Sequence, residues 1–202
     1  MKVLPFGDRA VLAEFDTLSE TMGAYRALDA ARLPGVLELV PAARTVLVRL
    51  DPARLSLRSA EHWLLGVSAA DADTHDGPSV TIPARYDGQD LASTAELLGI
   101  SPAELVSRHS LAEWRCAFIG FAPGFAYLVG GGLEVPRRPT SRPAVPAGSI
   151  GLAGEFTGVY PRSSPGGWQL IGTTDTVLWD ETREPPSAIA PGTIVRFEVI
   201  EG

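Results

Sequence analysis

The segment that decides the fold reads FIGFAPGFAYL at residues 118–128, VPAGSIG at residues 145–151 and SPGGWQLIG at residues 164–172. Glycine, proline and aromatic residues are dense here, and few charges interrupt them. Glycine permits positive φ and close backbone approach, whereas proline fixes φ. Short apolar strands between such turns are typical of a β-barrel or sandwich. Aromatic rings set between rigid turns also indicate the wall of a pocket.

Three tetrapeptides in this half of the chain fit type II turns, with proline second and glycine third. They occupy residues 122–125, 164–167 and 190–193. Each predicts a sharp reversal between two short strands, which strengthens the prediction of a barrel.

The N-terminal part alternates strand and helix patterns. Strands are predicted at residues 9–15, 36–40, 45–50 and 80–86, and helices at residues 19–32 and 56–67. The resulting order β-α-β-β-α-β suits a small split α/β domain. Residues 69–78 are small, polar and acidic, and indicate a connector. We therefore predict two domains, residues 1–80 and 81–202.

Two helices are predicted after the strand at residues 80–86 and before the short strands that begin near residue 116. Asp90 can cap the first, which ends at Gly99. Ser101-Pro102-Ala103-Glu104 is a stronger start, with a cap, proline at the first helical position and glutamate at the third. His109 lies near the end of that second helix.

Composition excludes several classes of protein. The 202 residues are 45% hydrophobic and 20% charged, as in ordinary soluble proteins, and the net charge of −7 argues against nucleic acid as a partner. No apolar run reaches the roughly 18 residues of a membrane span. The N-terminus meets Asp8 too early for a signal peptide, so we predict a cytoplasmic protein without a membrane partner.

Cysteine and lysine counts narrow the chemistry further. Cys116 is the single cysteine, which excludes an internal disulfide framework and a cysteine-rich metal site, and it resembles a buried small apolar residue. Lys2 is the single lysine, which excludes a P-loop and a Schiff-base lysine in the interior. Phosphate handling would fall to arginine, hydroxyl groups or backbone N–H groups.

Histidine and serine give weak signals. His109 could carry a proton, or it could be a helix-end residue favoured by the dipole. His62 and His75 have the pattern of surface residues, and three histidines so far apart predict no metal site. Ser149 lacks the full nucleophile-elbow pattern, because Ala147 stands where its first glycine should be.

Aromatic and basic residues give stronger signals, each with an alternative. The aromatic rings of the 118–128 segment could line a ligand pocket or form barrel core, and Trp168 could cap a pocket, anchor an interface or pack in the core. Prolines stiffen the segment that holds Arg137, Arg138 and Arg142, so these side chains could bind a carboxylate or phosphate, or form a solvated basic loop.

These residues carry a resemblance to a known family. Part of the resemblance rests on Gly7-Asp8-Arg9-Ala10, Asp51-Pro52 and His109. Most of its specificity lies in the motifs Gly-Phe-x-Pro-Gly-Phe and Ser-Pro-Gly-Gly-Trp-Gln within residues 118–172. Over nearly the whole chain the sequence resembles the allophanate hydrolase subunit 1 family, also described as the sporulation-kinase inhibitor family. Many of its members are interpreted as the B subunit of the prokaryotic ATP-dependent 5-oxoprolinase.

The resemblance implies both fold and function. It implies an α+β protein with an N-terminal α/β domain and a cyclophilin-like β-barrel. It implies a subunit, with little activity alone, of an enzyme that opens 5-oxo-L-proline to L-glutamate with ATP. The partners would be a second subunit with a related barrel and a third of the lactam-utilisation type. ATP, with Mg²⁺, would bind at the level of the complex.

For this activity we predict two catalytic and six substrate-binding residues. The catalytic residues are His109 and Arg142; the substrate-binding residues are Arg137, Phe118, Phe121, Tyr160, Trp168 and Gln169. Phe156 departs from the family, which usually has glutamine there. The chain lacks the amidase serine-lysine arrangement of a true allophanate hydrolase. Two alternatives stay open: a regulator that binds a sensor histidine kinase, and a subunit of a urea or allophanate system.

Overall fold

The computed structural model describes residues 1–67 and 77–201. The predicted connector at residues 69–78 falls mostly outside this range, as does His75. The chain divides into two compact units, residues 1–75 and 76–202. In the part that the structure describes, no helix is long and apolar enough to cross a membrane.

The first unit is a four-stranded antiparallel sheet with two helices. Its elements are β1 (Lys2–Pro5), β2 (Ala10–Glu14), α1 (Leu18–Ala30), β3 (Val36–Pro41), β4 (Thr45–Leu50) and α2 (Leu57–Leu65), and the strand order is β1-β2-β4-β3. Strand periodicity explains the packing: Val46 and Val48 are buried, whereas Arg49, the next residue along β4, is exposed. Both helices contribute to the same apolar cluster as these valines. Polar side chains cap each helix at its start.

The order of this unit differs from the predicted β-α-β-β-α-β at both ends. β1 is absent from the prediction, because four residues that end in proline give no clear alternation. The strand predicted at residues 80–86 forms as β5 (Ser79–Ala84), but it pairs in parallel with a strand near the end of the second unit, residues 194–199. Pairing over that distance leaves no local signal in the sequence.

The second unit is a barrel, as predicted. After β5 its elements are α3 (Leu91–Leu98), α4 (Pro102–Leu111), β6 (Trp114–Ile119), β7 (Ala126–Val129), β8 (Arg142–Val145), β9 (Ser149–Ala153), β10 (Phe156–Val159), β11 (Ser164–Gly166), β12 (Gln169–Thr173) and β13 (Ile194–Val199). Seven strands run in the order β12-β9-β10-β7-β6-β13-β5, and a bridge between Arg85 and Thr173 nearly closes the sheet. The α+β class is therefore confirmed.

Local signals fix the helices of this unit. The Ser101 side chain accepts a hydrogen bond from the Glu104 backbone N–H, so the predicted cap of α4 is confirmed. Gly99 ends α3 in the left-handed conformation, at φ +68°. Asp90 stands at the N-cap position of α3, but its carboxylate makes no cap hydrogen bond.

Two of the three predicted type II turns are confirmed and one is wrong. Residues 122–125 and 190–193 have the expected hydrogen bond across the turn, with Gly124 at φ +80° and Gly192 at φ +88°. Residues 164–166 form the strand β11 instead, because Ser164 pairs with Val145 and Gly166 pairs with Arg142 on β8. This β8–β11 ribbon forms one side of the pocket described next.

Candidate substrate pocket in the barrel

An aromatic cluster, separate from the main barrel core, lies beside the β8–β11 ribbon. Phe125 is its centre and meets Tyr160 and Trp168 edge to face, with ring centroids 5.3 Å apart in both pairs. Tyr127 lies 5.1 Å from Phe125 and stacks on Phe118 at 4.4 Å. Edge-to-face contacts of this kind fix ring orientations, so the cluster forms a rigid wall.

The cluster surrounds a cavity of about 190 Å³. Its lining is mainly aromatic and glycine-rich, with a few polar groups. The lining residues are Phe121, Phe125, Tyr127, Arg137, Ser141, Tyr160, Pro165, Gly166, Gly167 and Trp168. Apolar walls with a few converging polar groups are typical of small-molecule sites. The cavity is smaller than the roughly 300–1,000 Å³ of sites for drug-sized ligands, so it suits a small molecule.

Phe121 stands at the edge of this cavity in a strained conformation. Its φ is +66°, the one positive value at a non-glycine residue in the described part of the chain. The residue is 61% exposed, yet its ring meets Phe125 and Tyr160 edge to face. Left-handed backbone costs a residue with a Cβ about 1–2 kcal/mol, and such outliers cluster at functional sites.

The strain at Phe121 predicts an unusual order of stability for two variants. Phe121→Gly should be about 1 kcal/mol more stable than Phe121→Ala, because both lose the ring and only alanine keeps the left-handed strain. Urea unfolding of both variants measures the difference. At Leu97, inside α3, the same pair of substitutions should give the opposite order. Equal stability of the two Phe121 variants would show that the backbone there is not strained.

A buried carboxylate lies behind the pocket. Asp90, with its side chain 5% exposed, accepts hydrogen bonds from Arg142 Nη2 at 2.7 and 2.8 Å and from Arg138 Nη1 at 3.0 Å. The Leu170 backbone N–H also donates to it, at 2.7 Å. Arg142 in turn donates to the Trp168 carbonyl at 3.3 Å. Asp90 therefore ties the segment that carries the arginines to the segment that carries Trp168.

The three arginines have different surroundings. Arg138 and Arg142 both pair with Asp90, and the Arg142 side chain is only 15% exposed. Arg137 lines the cavity and forms no ion pair with any residue that the structure describes. Gly167 permits the close approach of Ser141, because a Cβ there would lie only 2.9 Å from Ser141 Oγ, and Arg137 Nη2 lies at ordinary contact distance from the same position, 3.5 Å.

His109 lies in the main barrel core rather than in the aromatic cluster. It is fully buried, and its ring packs against Trp114 and Phe197. Tyr86 Oη is 2.8 Å from its Nδ1, and Thr157 Oγ1 is 2.8 Å from its Nε2. Burial lowers the pKa of His109 to about 3, so the ring is neutral.

The hydrogen bonds around His109 assign its tautomer. Thr157 Oγ1 donates its proton to the Gly151 carbonyl at 3.1 Å, so it accepts from His109 Nε2–H. His109 Nδ1 then accepts from the Tyr86 hydroxyl, whose pKa is raised by burial. None of the residues in this chain of hydrogen bonds lines the pocket. The catalytic role of His109 therefore stays a prediction.

The other predicted site residues divide between the pocket and its surroundings. Phe121, Arg137, Tyr160 and Trp168 are brought together around the cavity. Three others lie near it without lining it. Arg142 lies behind it with Asp90, and the buried Gln169 donates a hydrogen bond from its amide to the Pro136 carbonyl at 3.1 Å. Phe118 contacts the rings of Tyr127 and Phe156.

Other reactive side chains are not poised for chemistry. Burial raises the pKa of the Cys116 thiol to about 12, and Ser149 is buried within β9. The interpretation of Cys116 as a small buried residue is therefore confirmed, and His62 is exposed on α2 as predicted. In the ranges that the structure describes, no group of three histidine, cysteine, aspartate or glutamate side chains could hold a metal ion.

Sequence reasoning missed Asp90 and Ser141 as parts of the site. Asp90 precedes a helix, so the pattern favoured a capping role, and its partner Arg142 is 52 residues away. A signal for the burial of His109 was present: it follows Leu105 by four residues on α4, and residues four apart share a face of a helix.

A barrel with a rigid aromatic pocket and a guanidinium group in its wall has the features that are typical of small-molecule-binding domains. Comparison with known proteins gives its family: the profile of the carboxyltransferase domain, subdomain C and D, matches residues 1–189. The chain belongs to this family.

Two curated relatives are similar over most of their length. An Escherichia coli O157:H7 protein, named as the B subunit of 5-oxoprolinase, is 38% identical over 95% of this chain and 92% of the relative. The Bacillus subtilis (strain 168) protein of the same name is 34% identical, over 95% of this chain and 89% of the relative. The resemblance predicted from the motifs is therefore confirmed.

Solved structures agree with the fold. TTHA0988 is 37% identical with a TM-score of 0.78, and the match covers 96% of this chain and 40% of that one. The urea amidolyase of Kluyveromyces lactis has a TM-score of 0.79 over 98% of this chain and 15% of its own. Its identity is 18%, so that likeness is one of fold alone.

Proposed function

We propose that this chain is a subunit of an ATP-dependent 5-oxoprolinase and contributes the pocket that holds the lactam. The observation that carries the proposal is the aromatic cavity with the guanidinium group of Arg137, in a chain 38% identical to a protein named as the B subunit of 5-oxoprolinase. The cavity of about 190 Å³ suits a five-membered lactam. Flat aromatic walls suit the planar amide of such a ring.

The polar groups of the pocket could donate hydrogen bonds to the carbonyl oxygen of a lactam and so polarise the carbonyl. An amide is a poor electrophile, and hydrogen-bond donors aimed at its oxygen stabilise the charge that develops there. Burial raises the pKa of both Tyr127 and Tyr160, so their hydroxyl groups stay protonated and can donate. Cys116 and Ser149 are buried, so neither is placed to attack the lactam, and water would supply the attacking oxygen.

The nucleotide does not fit this cavity. Its volume lies below the range for drug-sized ligands, and ATP with its triphosphate is larger than most of these. We therefore assign ATP and Mg²⁺ to other parts of the complex. The partners in this proposal are a second subunit with a related barrel and a third subunit of the lactam-utilisation type. The kinase-regulator and urea-system alternatives stay predictions.

Reconstitution tests the proposed function. The chain is mixed with its two presumed partner subunits, and glutamate formation from 5-oxo-L-proline is measured with and without ATP. We expect activity that requires ATP and disappears when this chain is omitted. A complete mixture without activity, or activity that does not depend on this chain, would contradict the proposal.

A matched pair of variants tests the pocket within the same assay. Tyr127→Phe removes one hydroxyl group from the cavity, and we expect kcat/KM for 5-oxo-L-proline to fall about tenfold because a donor to the substrate is lost. Tyr25→Phe removes a hydroxyl group from α1 in the first unit and should leave kcat/KM unchanged. Equal activity of the two variants would place the lactam elsewhere.

A further inference from the structure

We propose that Arg137 is the anion ligand of the pocket and makes the site selective for small molecules that carry a carboxylate. The proposal rests on the proposed function and deepens it, because it assigns the part of the substrate that this chain recognises. It also assigns different roles to three neighbouring arginines: Arg138 and Arg142 pair with Asp90, whereas Arg137 is left for the ligand.

Arg137 is available for a ligand, whereas its neighbours are not. Among the described residues that line the cavity, it has the only charged side chain. Arg138 and Arg142 direct their guanidinium groups at Asp90, at 3.0 and 2.7 Å. Guanidinium binds carboxylate with two parallel hydrogen bonds, so Arg137, which has no ion-pair partner among the described residues, suits this class of ligand.

The cluster behind the pocket adds to the positive potential. Two guanidinium groups against one carboxylate leave one positive charge around Asp90, and Arg137 adds a second. This local excess contrasts with the net charge of −7 of the whole chain. A concave site of one sign with low-dielectric walls concentrates ligands of the opposite charge.

The remaining polar groups do not cancel this charge. Burial raises the pKa of Tyr127 and Tyr160. It outweighs the lowering of the pKa by Arg137 at Tyr127, and by a backbone hydrogen bond with Trp168 and by Arg137 at Tyr160, so both phenols are neutral. Ser141 is neutral at any pH and lies beside Arg137 across from Gly167. The pocket thus offers one cation, neutral donors and aromatic faces, which match a carboxylate attached to a small ring.

The Asp90 cluster also positions Arg137. The Arg138 backbone N–H donates to the Gly167 carbonyl at 2.8 Å, which joins the segment that carries Arg137 to the opposite wall. The Arg138 side chain is fixed by Asp90, and the neighbouring Pro136 and Pro139 limit the backbone. A guanidinium group on such a backbone loses less conformational freedom on binding.

Direct binding to the full chain tests this proposal without the partner subunits. NMR titration measures dissociation constants for 5-oxo-L-proline and its neutral amide, and for cyclopentanecarboxylate and cyclopentanecarboxamide. We expect each carboxylate to bind at least about tenfold more tightly than its amide, as for a charge-assisted hydrogen bond. Arg137→Gln should remove this preference, and Arg137→Lys should restore it in part.

Arg196→Gln is the matched control, because Arg196 lies on β13 and pairs with Glu113. It should keep the full preference for carboxylates. An unchanged preference in Arg137→Gln, equal binding of carboxylate and amide, or no binding of either carboxylate to the chain would overturn the proposal.

Failure of this proposal and failure of the proposed function are distinguishable. If cyclopentanecarboxylate binds with dependence on Arg137 but the reconstituted complex opens no lactam, the anion site stands and the function fails. If the complex opens 5-oxo-L-proline and Arg137→Gln leaves both its KM and the binding preference unchanged, the function stands and the anion site fails.

Discussion

Replacement of Asp90 with alanine is expected to destabilise the second unit by about 3–5 kcal/mol. The substitution leaves the mostly buried guanidinium group of Arg142 without its carboxylate and the Leu170 backbone N–H without its acceptor. Removal of one partner from a buried ion pair costs this much because the remaining charge is not solvated. The pocket wall should loosen as well, since Asp90 joins its two sides.

Urea unfolding followed by tryptophan fluorescence measures this effect. In a Trp63→Phe background the remaining three tryptophans all lie in the second unit, so the signal reports that unit. Asp175→Ala is the matched control: Asp175 is 85% exposed and pairs with Arg85, so its loss should cost less than about 1 kcal/mol. Similar costs for Asp90→Ala and Asp175→Ala would show that the buried cluster does not support the barrel.

Acidification is expected to weaken the barrel through His109. Its pKa is about 3 in the folded protein and about 6.5 in the unfolded chain, so between these values only the unfolded chain takes up the proton. The stabilisation is complete above pH 6.5 and is lost as the pH falls towards 3. One pKa unit corresponds to roughly 1.4 kcal/mol, so midway through this window the loss is about 2–3 kcal/mol.

The free energy of unfolding as a function of pH, for wild type and two variants, isolates this contribution. His109→Gln retains a donor and an acceptor for Thr157 and Tyr86 but cannot titrate, so its stability should fall less steeply below pH 6.5. His62→Gln, on the exposed face of α2, is the matched control and should follow wild type. An equally steep fall in His109→Gln would exclude His109 as the source.

Sequence predicts best where the cause of a structure is local. The Ser101 cap, the end of α3 at Gly99 and the turn at Gly124 depend on neighbouring residues, and all three form as predicted. Backbone preferences of glycine and hydroxyl capping act within a few residues, so the pattern contains the whole cause.

Long-range pairing explains the predictions that the structure corrects. The pattern assigns β5 to the first unit, yet its parallel partner β13 begins at Ile194. Residues 164–167 have the composition of a type II turn, but pairing with β8 supplies backbone hydrogen bonds that favour a strand. In both segments the deciding partner is distant in sequence.

The site is predictable only in part, for the same reasons. Aromatic density between glycine and proline places Phe121 and Trp168 in one cavity, because rigid turns restrict where such rings can lie. The different roles of Arg137 and Arg142 depend on Asp90, far away in sequence, and on which side chain faces it. No spacing rule gives that information, so the sequence does not reveal that Arg142 pairs with the buried Asp90.

The most direct test of the pocket is a crystal structure of this protein grown with saturating 5-oxo-L-proline. We predict density for the lactam within the aromatic cavity, with its ring against Trp168 and Tyr127 and its carboxylate within hydrogen-bonding distance of Arg137. Density for the ligand at a different site, with this cavity empty of it, would contradict the assignment of the pocket to the lactam.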